Sequence, residues 1–185
     1  RDIYRPQRRG TGKNLIDLYR HLACARPDWE FLLLHRDDGE DDPLADRPNV
    51  TARRIEIRGD RWNLWQHLRL PWAAKAWGAD VLHCPANTAP RLSPVPMVVT
   101  IHDLIPLEPE FMTWRSRRWG REVARAAKVS EAIITPSEFS RRQIVRQLNV
   151  AGEKIVVNPW AADSRCREIE DPDELHRVRV KYGLP

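Results

Sequence analysis

Long apolar runs are missing from this chain. Stretches such as Phe31–Leu34, Met97–Val99 and Ala132–Ile134 stop far short of the roughly 20 apolar residues a membrane-spanning helix needs. No apolar segment follows Arg1, so a secretory leader is not indicated. Cysteine is scarce: Cys24, Cys84 and Cys166 are odd in number and never spaced C-x-x-C. That argues against a disulfide frame and a zinc ribbon, and for a reducing cytosol. Disorder is excluded too, because 42% of the 185 residues are apolar and 31% are charged. Such a chain can bury one sizeable core, the usual content of a domain of about 100–200 residues.

What is present in excess is tryptophan, with 8 residues, and cationic side chains. Lys and Arg number 31 against 26 Asp and Glu, a formal net charge of +5, and arginine dominates. The surplus points to an anionic partner: nucleic acid, a phosphate-bearing ligand or a membrane surface. A soluble, arginine-rich surface with no such partner fits the charge equally well.

Along the chain, Ile3-Tyr4 is too little for a full strand and no initiator Met precedes it, so the start of a first strand is expected to be missing. The segment Pro6–Gly12 reads as a loop carrying the turn Gly10-Thr11-Gly12. Leu15, Leu18, Tyr19 and Leu22 then fall at helical spacing, up to Pro27. Trp29–Leu34 and Val50–Ile57 read as strands on either side of an acidic, turn-rich loop over residues 36–48. Trp62–Trp77 has helical spacing interrupted by Pro71. Strands are expected at 79–83, 97–102, 132–135 and 154–157, with helices over 114–128, from the Ser137 cap to 148, and over 173–182 up to Gly183. Apolar strands alternating with amphipathic helices predict an α/β fold with a parallel sheet and helices on both faces.

In such sheets ligands sit beyond the carboxyl ends of the strands. That rule selects Gly10–Gly12, His83–Asn87, His102-Asp103 and Ser137-Glu138. Two glycines at a helix start let backbone amides approach a phosphate, and Lys13 could add a charge; a plain tight turn would look the same. His102 and Asp103 end a β-branched strand, where a histidine can meet a hydroxyl or phosphate or simply pin the next loop. His83-Cys84 beside His102-Asp103 is not reinforced by metal-ligand spacing, and Cys84 sits on a core strand, so neither a metal site nor a nucleophilic cysteine is expected. Arg118, Arg121, Arg125 and Lys128 share one helical stripe, joined by Arg141, Arg142 and Arg146. With Trp114 and the Trp62/Trp65/Trp72 segment, this could be a face for an anionic bilayer or a solvated surface.

The segment from Val98 to Trp160 resembles the N-terminal half of family 4 (group 1) glycosyltransferases. It carries V-T-I-H-D-L at the end of a strand, a basic helix, I-I-T-P-S-E-F-S-R and E-K-I-V-V in that order. Arg9-Gly10-Thr11-Gly12-Lys13-Asn14-Leu15 and Asp80-Val81-Leu82-His83-Cys84-Pro85 are similar to earlier motifs of the family. The resemblance implies half of a retaining GT-B enzyme: a Rossmann-like acceptor domain over 1–163, with 164–185 leading into a donor domain. It implies a nucleotide-sugar donor and a glycan or lipid-linked acceptor, as in cell-surface polysaccharide synthesis. No obligatory metal and no nucleic acid partner are implied, and the enzyme would work in the cytoplasm or at the cytoplasmic face of the membrane. Carried over by residue, Gly10, Thr11, Gly12 and Lys13 would face the donor diphosphate. His102 and Asp103 would lie at the reacting centre, and His83, Asn87, Ser137 and Glu138 would border the acceptor cleft. The chain departs from the family at Lys13-Asn14, where Arg-Tyr is frequent, and at Pro159-Trp160-Ala161-Ala162-Asp163, where P-N-G-V-D is frequent. A non-catalytic scaffold of the same fold and a basic nucleic-acid binder remain open as rival readings.

Overall fold

A computed structural model describes residues 10–35, 42–56, 62–162, 166 and 168–185. Its strands come from the apolar runs, and each pairing between them is parallel. Strands β1 (Phe31–His35) and β2 (Val50–Arg54) form one pair. Strands β3 (Leu82–Cys84), β4 (Met97–Thr100), β5 (Ala132–Thr135) and β6 (Ile155–Val157) form a sheet in that spatial order. Its register sets Leu82 beside Met97, Val98 beside Ala132 and Ile133 beside Ile155. Parallel neighbours need crossovers, which helices supply.

Those helices are α1 (Gly10–Ala25), α2 (Trp62–Leu64), α3 (Leu70–Trp77), α4 (Trp114–Val129), α5 (Glu138–Leu148) and α6 (Pro172–Tyr182). Val99 and Ile133, both fully buried, pack with Val123, Ala126 and Ala127 of α4 and Ile144 of α5. Each of the valine and isoleucine side chains among them contributes about 1.5–3 kcal/mol on burial. A smaller cluster joins Leu15 and Ile16 of α1 to Leu33 of β1 and to Leu44. Tyr19 links the two cores. Its ring lies 6.3 Å from that of Phe31 on β1, and its hydroxyl meets His83 of β3. Thus α1 stands where the chain winds outward both ways, toward β2 and toward β6, as in a doubly wound fold.

Several boundaries differ from the sequence reading. Gly10, Thr11 and Gly12 belong to the first described turn of α1 instead of a loop ahead of it, while Pro6–Arg9 lie outside the described residues. β4 ends at Thr100, so Ile101 and His102 lie past the strand. Pro71 does not interrupt its helix. The chain passes from α2 through a π-helical turn, Trp65–Arg69, directly into α3. The wider turn ahead of a proline is where the missing donor and the ring's clash with the preceding carbonyl can be absorbed. Trp65 is buried in the core, which removes it from any surface role, whereas Trp72 is exposed. The C-terminal helix runs from Pro172, capped by Asp171, and stops at Gly183 with φ of 61°. No residue of α6 is buried.

Helix α4 is opened by a reciprocal cap between Thr113 and Ser116. Just before it, the 3-10 turn Ile105–Leu107 packs on the helix at Gly120, where an added Cβ would stand 2.6 Å from Leu107 Cδ2. Gly120→Val should therefore lower stability by about 1–3 kcal/mol through overpacking. Gly120→Ala should cost less, because Leu107 can shift and alanine gains about 1 kcal/mol of helix propensity. Urea unfolding of both variants would check this; equal stability of Gly120→Val and wild type would refute the contact.

Candidate functional site

Because the four strands of the larger sheet are parallel, the segments after β3, β4, β5 and β6 emerge at one edge. His102 is the residue on which they converge. Its backbone N–H donates to Asn87 Oδ1 at 2.8 Å, and its carbonyl accepts from Ser140 Oγ at 3.0 Å. Its ring Nε2 lies 2.8 Å from the Pro85 carbonyl oxygen. A carbonyl can only accept, so Nε2 carries the proton, and in the neutral ring Nδ1 is left as an acceptor. Nδ1 is buried with no partner among the described residues. The Trp160 ring stands edge-on at 5.3 Å from the His102 ring. The same indole lies 4.0 Å from where a Cβ on Gly10 would be. The start of α1, the end of β4 and the segment after β6 therefore meet around an unmet acceptor.

The supporting residues explain why the loop holds. Asn87 has φ of 62°, a left-handed conformation that asparagine tolerates, and its N–H returns to the Thr100 carbonyl at 2.9 Å. Asp103 accepts from the Ile105 N–H at 3.1 Å, starting the 3-10 turn after the site. Ser137 caps α5 by accepting from the Ser140 N–H at 3.1 Å. Glu138 is exposed and pairs with Arg141 at 3.6 Å. Lys13 is exposed on the first turn of α1, Gly12 is buried and Thr11 is half-buried.

His83 is placed differently from His102. Tyr19 Oη meets its Nδ1 at 2.5 Å, and its Nε2 meets Thr100 Oγ1 at 2.7 Å. Burial, followed by the nearby His102, pulls its pKa down to about 4. The neutral ring thus donates at one end and accepts at the other, tying α1, β3 and β4 together beneath the cleft edge. Burial keeps Tyr19 protonated and lifts the Cys84 thiol to about 12, so that thiol is no nucleophile.

Sequence reasoning selected His102, Asn87 and Ser137 but passed over Pro85, Ser140, Trp160 and Tyr19. Ser140 was legible as the partner of Ser137 in the helix cap. Pro85 acts through its carbonyl, which no side-chain pattern reveals. Trp160 was noted only as a departure from the family's usual asparagine.

A doubly wound α/β domain with a polar site at its strand ends is the class these features define. Residues 9–164 match the model of Glycosyltransferase Family 4, and the chain belongs to that family. It is 27% identical over 190 residues to O-antigen chain mannosyltransferase B of Escherichia coli, covering 95% of this chain and 49% of that protein. Its fold is similar to that of Anabaena HepE, solved with UDP, at a TM-score of 0.61 and 15% identity, covering 97% of this chain and 48% of HepE. The same protein solved with UDP and glucose gives 0.58 at 19% identity, again over 97% and 48%. A glycosyltransferase from Rickettsia africae gives 0.55 at 12%, over 95% of this chain and 47% of that one. The chain spans about half the length of the relatives it matches.

The His83 placement predicts a pH dependence. An unfolded histidine takes up its proton near pH 6.5, whereas this one resists until about 4. Between those values the unfolded chain binds more protons, so stability falls as pH drops from 6.5 to 4 and levels off below. The full loss is on the order of 3 kcal/mol. Denaturant unfolding from pH 7 to 4.5 should show this slope in wild type and a flatter one in His83→Gln. An unchanged slope in the variant would assign the effect to other groups.

Proposed function

We propose that the chain is the acceptor-side half of a retaining, two-domain hexosyltransferase that uses a nucleotide sugar and builds a glycan or lipid-linked saccharide. Residues 1–163 form the domain, and 164–185 lead into the donor-binding half. The observation that carries the reading is the meeting of the α1 start, His102 and Trp160 at one sheet edge in a chain of this family. The Escherichia coli relative is an O-antigen chain mannosyltransferase and HepE was solved with UDP and glucose, which supports a nucleotide-sugar donor and a sugar acceptor.

The residues then divide the work. The amides of Gly10, Thr11 and Gly12, in the first described turn of α1, would face the donor diphosphate, with Lys13 alongside. His102 Nδ1, the unmet acceptor, receives a hydroxyl proton of the donor sugar and so orients the reacting carbon. Asp103, Asn87, Ser137 and Glu138 shape and border the cleft, and His83 supports it from below through Thr100. The leaving phosphate takes the proton of the incoming hydroxyl, so the protein works by positioning and by stabilising charge. No resident metal is needed for this scheme.

The donor's base and ribose would be held by the other half. The 185-residue chain should therefore fold, bind UDP- and GDP-sugars no better than about millimolar, and transfer nothing. In the full-length enzyme His102→Ala should mainly lower kcat, since its contact belongs to the reacting centre. Calorimetry and steady-state kinetics test both. Micromolar donor binding by the chain, or full-rate turnover by the variant, would mean the site is misplaced.

We also propose that this domain works at the cytoplasmic face of the membrane. Helix α4 carries six cationic residues and one carboxylate, Glu122, which pairs with Arg91 and Arg125. Arg117, Arg118, Arg121 and Lys128 stay exposed. Ile105, Phe111, Met112 and Trp114, between 40% and 69% exposed, lie just before or at its first turn. Cations beside exposed aromatic and aliphatic groups suit an anionic bilayer better than a nucleic acid. The chain should co-sediment with vesicles containing phosphatidylglycerol and not with phosphatidylcholine alone, and salt should weaken this. Equal recovery with both vesicle types would leave the stripe as a solvated face.

A further inference from the structure

Past β6 the chain leaves the sheet along residues 158–162, all of them exposed. Asn158 is still held, its N–H donating to the Thr135 carbonyl at 2.8 Å. Residues 159–162 make no hydrogen bond among the described residues. Trp160 is the side chain of this stretch that meets the sheet edge. Its indole stands nearly perpendicular to the His102 ring, with 5.3 Å between centroids and 75° between planes. Its Cζ3 reaches toward α1, 4.0 Å from where a Cβ on Gly10 would stand. One ring thus spans the gap between the end of β4 and the start of α1.

The state of His102 Nδ1 makes this contact informative. That nitrogen lies past the end of its strand, at the edge where a parallel sheet binds ligands, yet it is shut off from solvent. It has no partner among the described residues. A buried acceptor without a donor is unfavourable, and a donor brought by a ligand would relieve it. The histidine itself has little freedom to turn, because Pro85, Asn87 and Ser140 hold its ring and backbone. Trp160 is held differently. It is 44% exposed, and its contact with His102 is one of ring against ring. Such a side chain can leave without breaking a directional bond to the protein.

We propose that Trp160 is the gate of this site: its indole closes over His102 Nδ1 in the free chain and swings outward to admit a hydroxyl-bearing ligand. Opening exchanges an aromatic contact for a hydrogen bond to the unmet acceptor, so the ligand itself favours the open state. The fraction of free chain that is open then scales the apparent affinity. The inference rests on the transferase reading only for the ligand being the donor sugar; the cover over His102 stands on the geometry.

Carbethoxylation of the chain with diethylpyrocarbonate, followed at each histidine by peptide mass spectrometry, tests the cover. The reagent attacks an unprotonated ring nitrogen, which in His102 is Nδ1. Trp160→Ala should label His102 about fivefold faster than wild type or more, because reaction goes through the open state. Trp160→Phe, which keeps a ring, should stay closer to wild type. His176, exposed on α6, normalises the reagent, and His83, bonded at both ring nitrogens, reports any loosening of the whole edge. Trp160 lies outside the buried core, so both variants should fold, and thermal unfolding checks this. Equal labelling of His102 in wild type and Trp160→Ala, or a rise matched at His83, would overturn the gate. In the full-length enzyme, Trp160→Ala should lower the donor KM about threefold or more, since no closed state competes with binding. A raised KM would make the indole a surface on which the sugar stacks, and would overturn the gate as well. The two readings fail separately. Faster His102 labelling in Trp160→Ala, with a full-length protein that transfers nothing, retires the transferase and keeps the gate. Transfer with His102 labelling unmoved by the variant does the reverse.

Discussion

Three hydrogen bonds to His102 hold the site edge together. The β3 loop reaches it through the Pro85 carbonyl and the Asn87 side chain, and α5 reaches it through Ser140. Each bond crosses between elements far apart in sequence, so the position of this residue is set by the whole sheet and not by its own loop. A side chain held at both backbone and ring has little freedom left to lose when a ligand arrives, which favours binding by preorganisation. The same bonds dictate the tautomer, because a carbonyl on Nε2 leaves Nδ1 free of its proton. Chemistry at the site therefore follows from the parallel register that brings β3, β4 and β5 to one edge.

Under this edge lies a second polar knot, Tyr19–His83–Thr100. Two histidines in the same sheet thus have opposite duties. One is fully partnered at both ring nitrogens and held neutral by burial; the other is partnered at one and left with an unmet acceptor beside Trp160. The sequence showed both as histidines at the ends of apolar strands. Only the environment separates a support from a reacting-centre candidate, because desolvation and partner geometry come from residues distant in the chain.

Legibility varied with the range of the forces involved. Strand β5, helix α5 with its Ser137 cap, and the Gly183 stop were readable because local periodicity and capping decide them. The π turn before Pro71 was not, since periodicity takes no account of how a proline's clash is relieved. Gly10–Gly12 read as a turn because glycine is a poor helix former, yet they lie in α1. Of the site, His102 and Asn87 were found through strand ends. Gln66 and Trp119 lie inside predicted helices where nothing in the spacing singles them out, and only the packing of one helix against another opens a cavity between them.

Charge is distributed with the same economy. Helix α4 presents its exposed cations outward, while its Glu122 is bracketed by Arg91 and Arg125 and faces the cavity beside the π-helical turn. Arg91 and Arg125 are spent on this carboxylate and offset its charge locally. The exposed cations Arg117, Arg118, Arg121 and Lys128 then set the long-range field on the outer side of the helix. Short-range bonding acts where geometry matters, beside Ala86–Thr88 and His102. A single helix serves both because its two faces differ in what they leave unpaired.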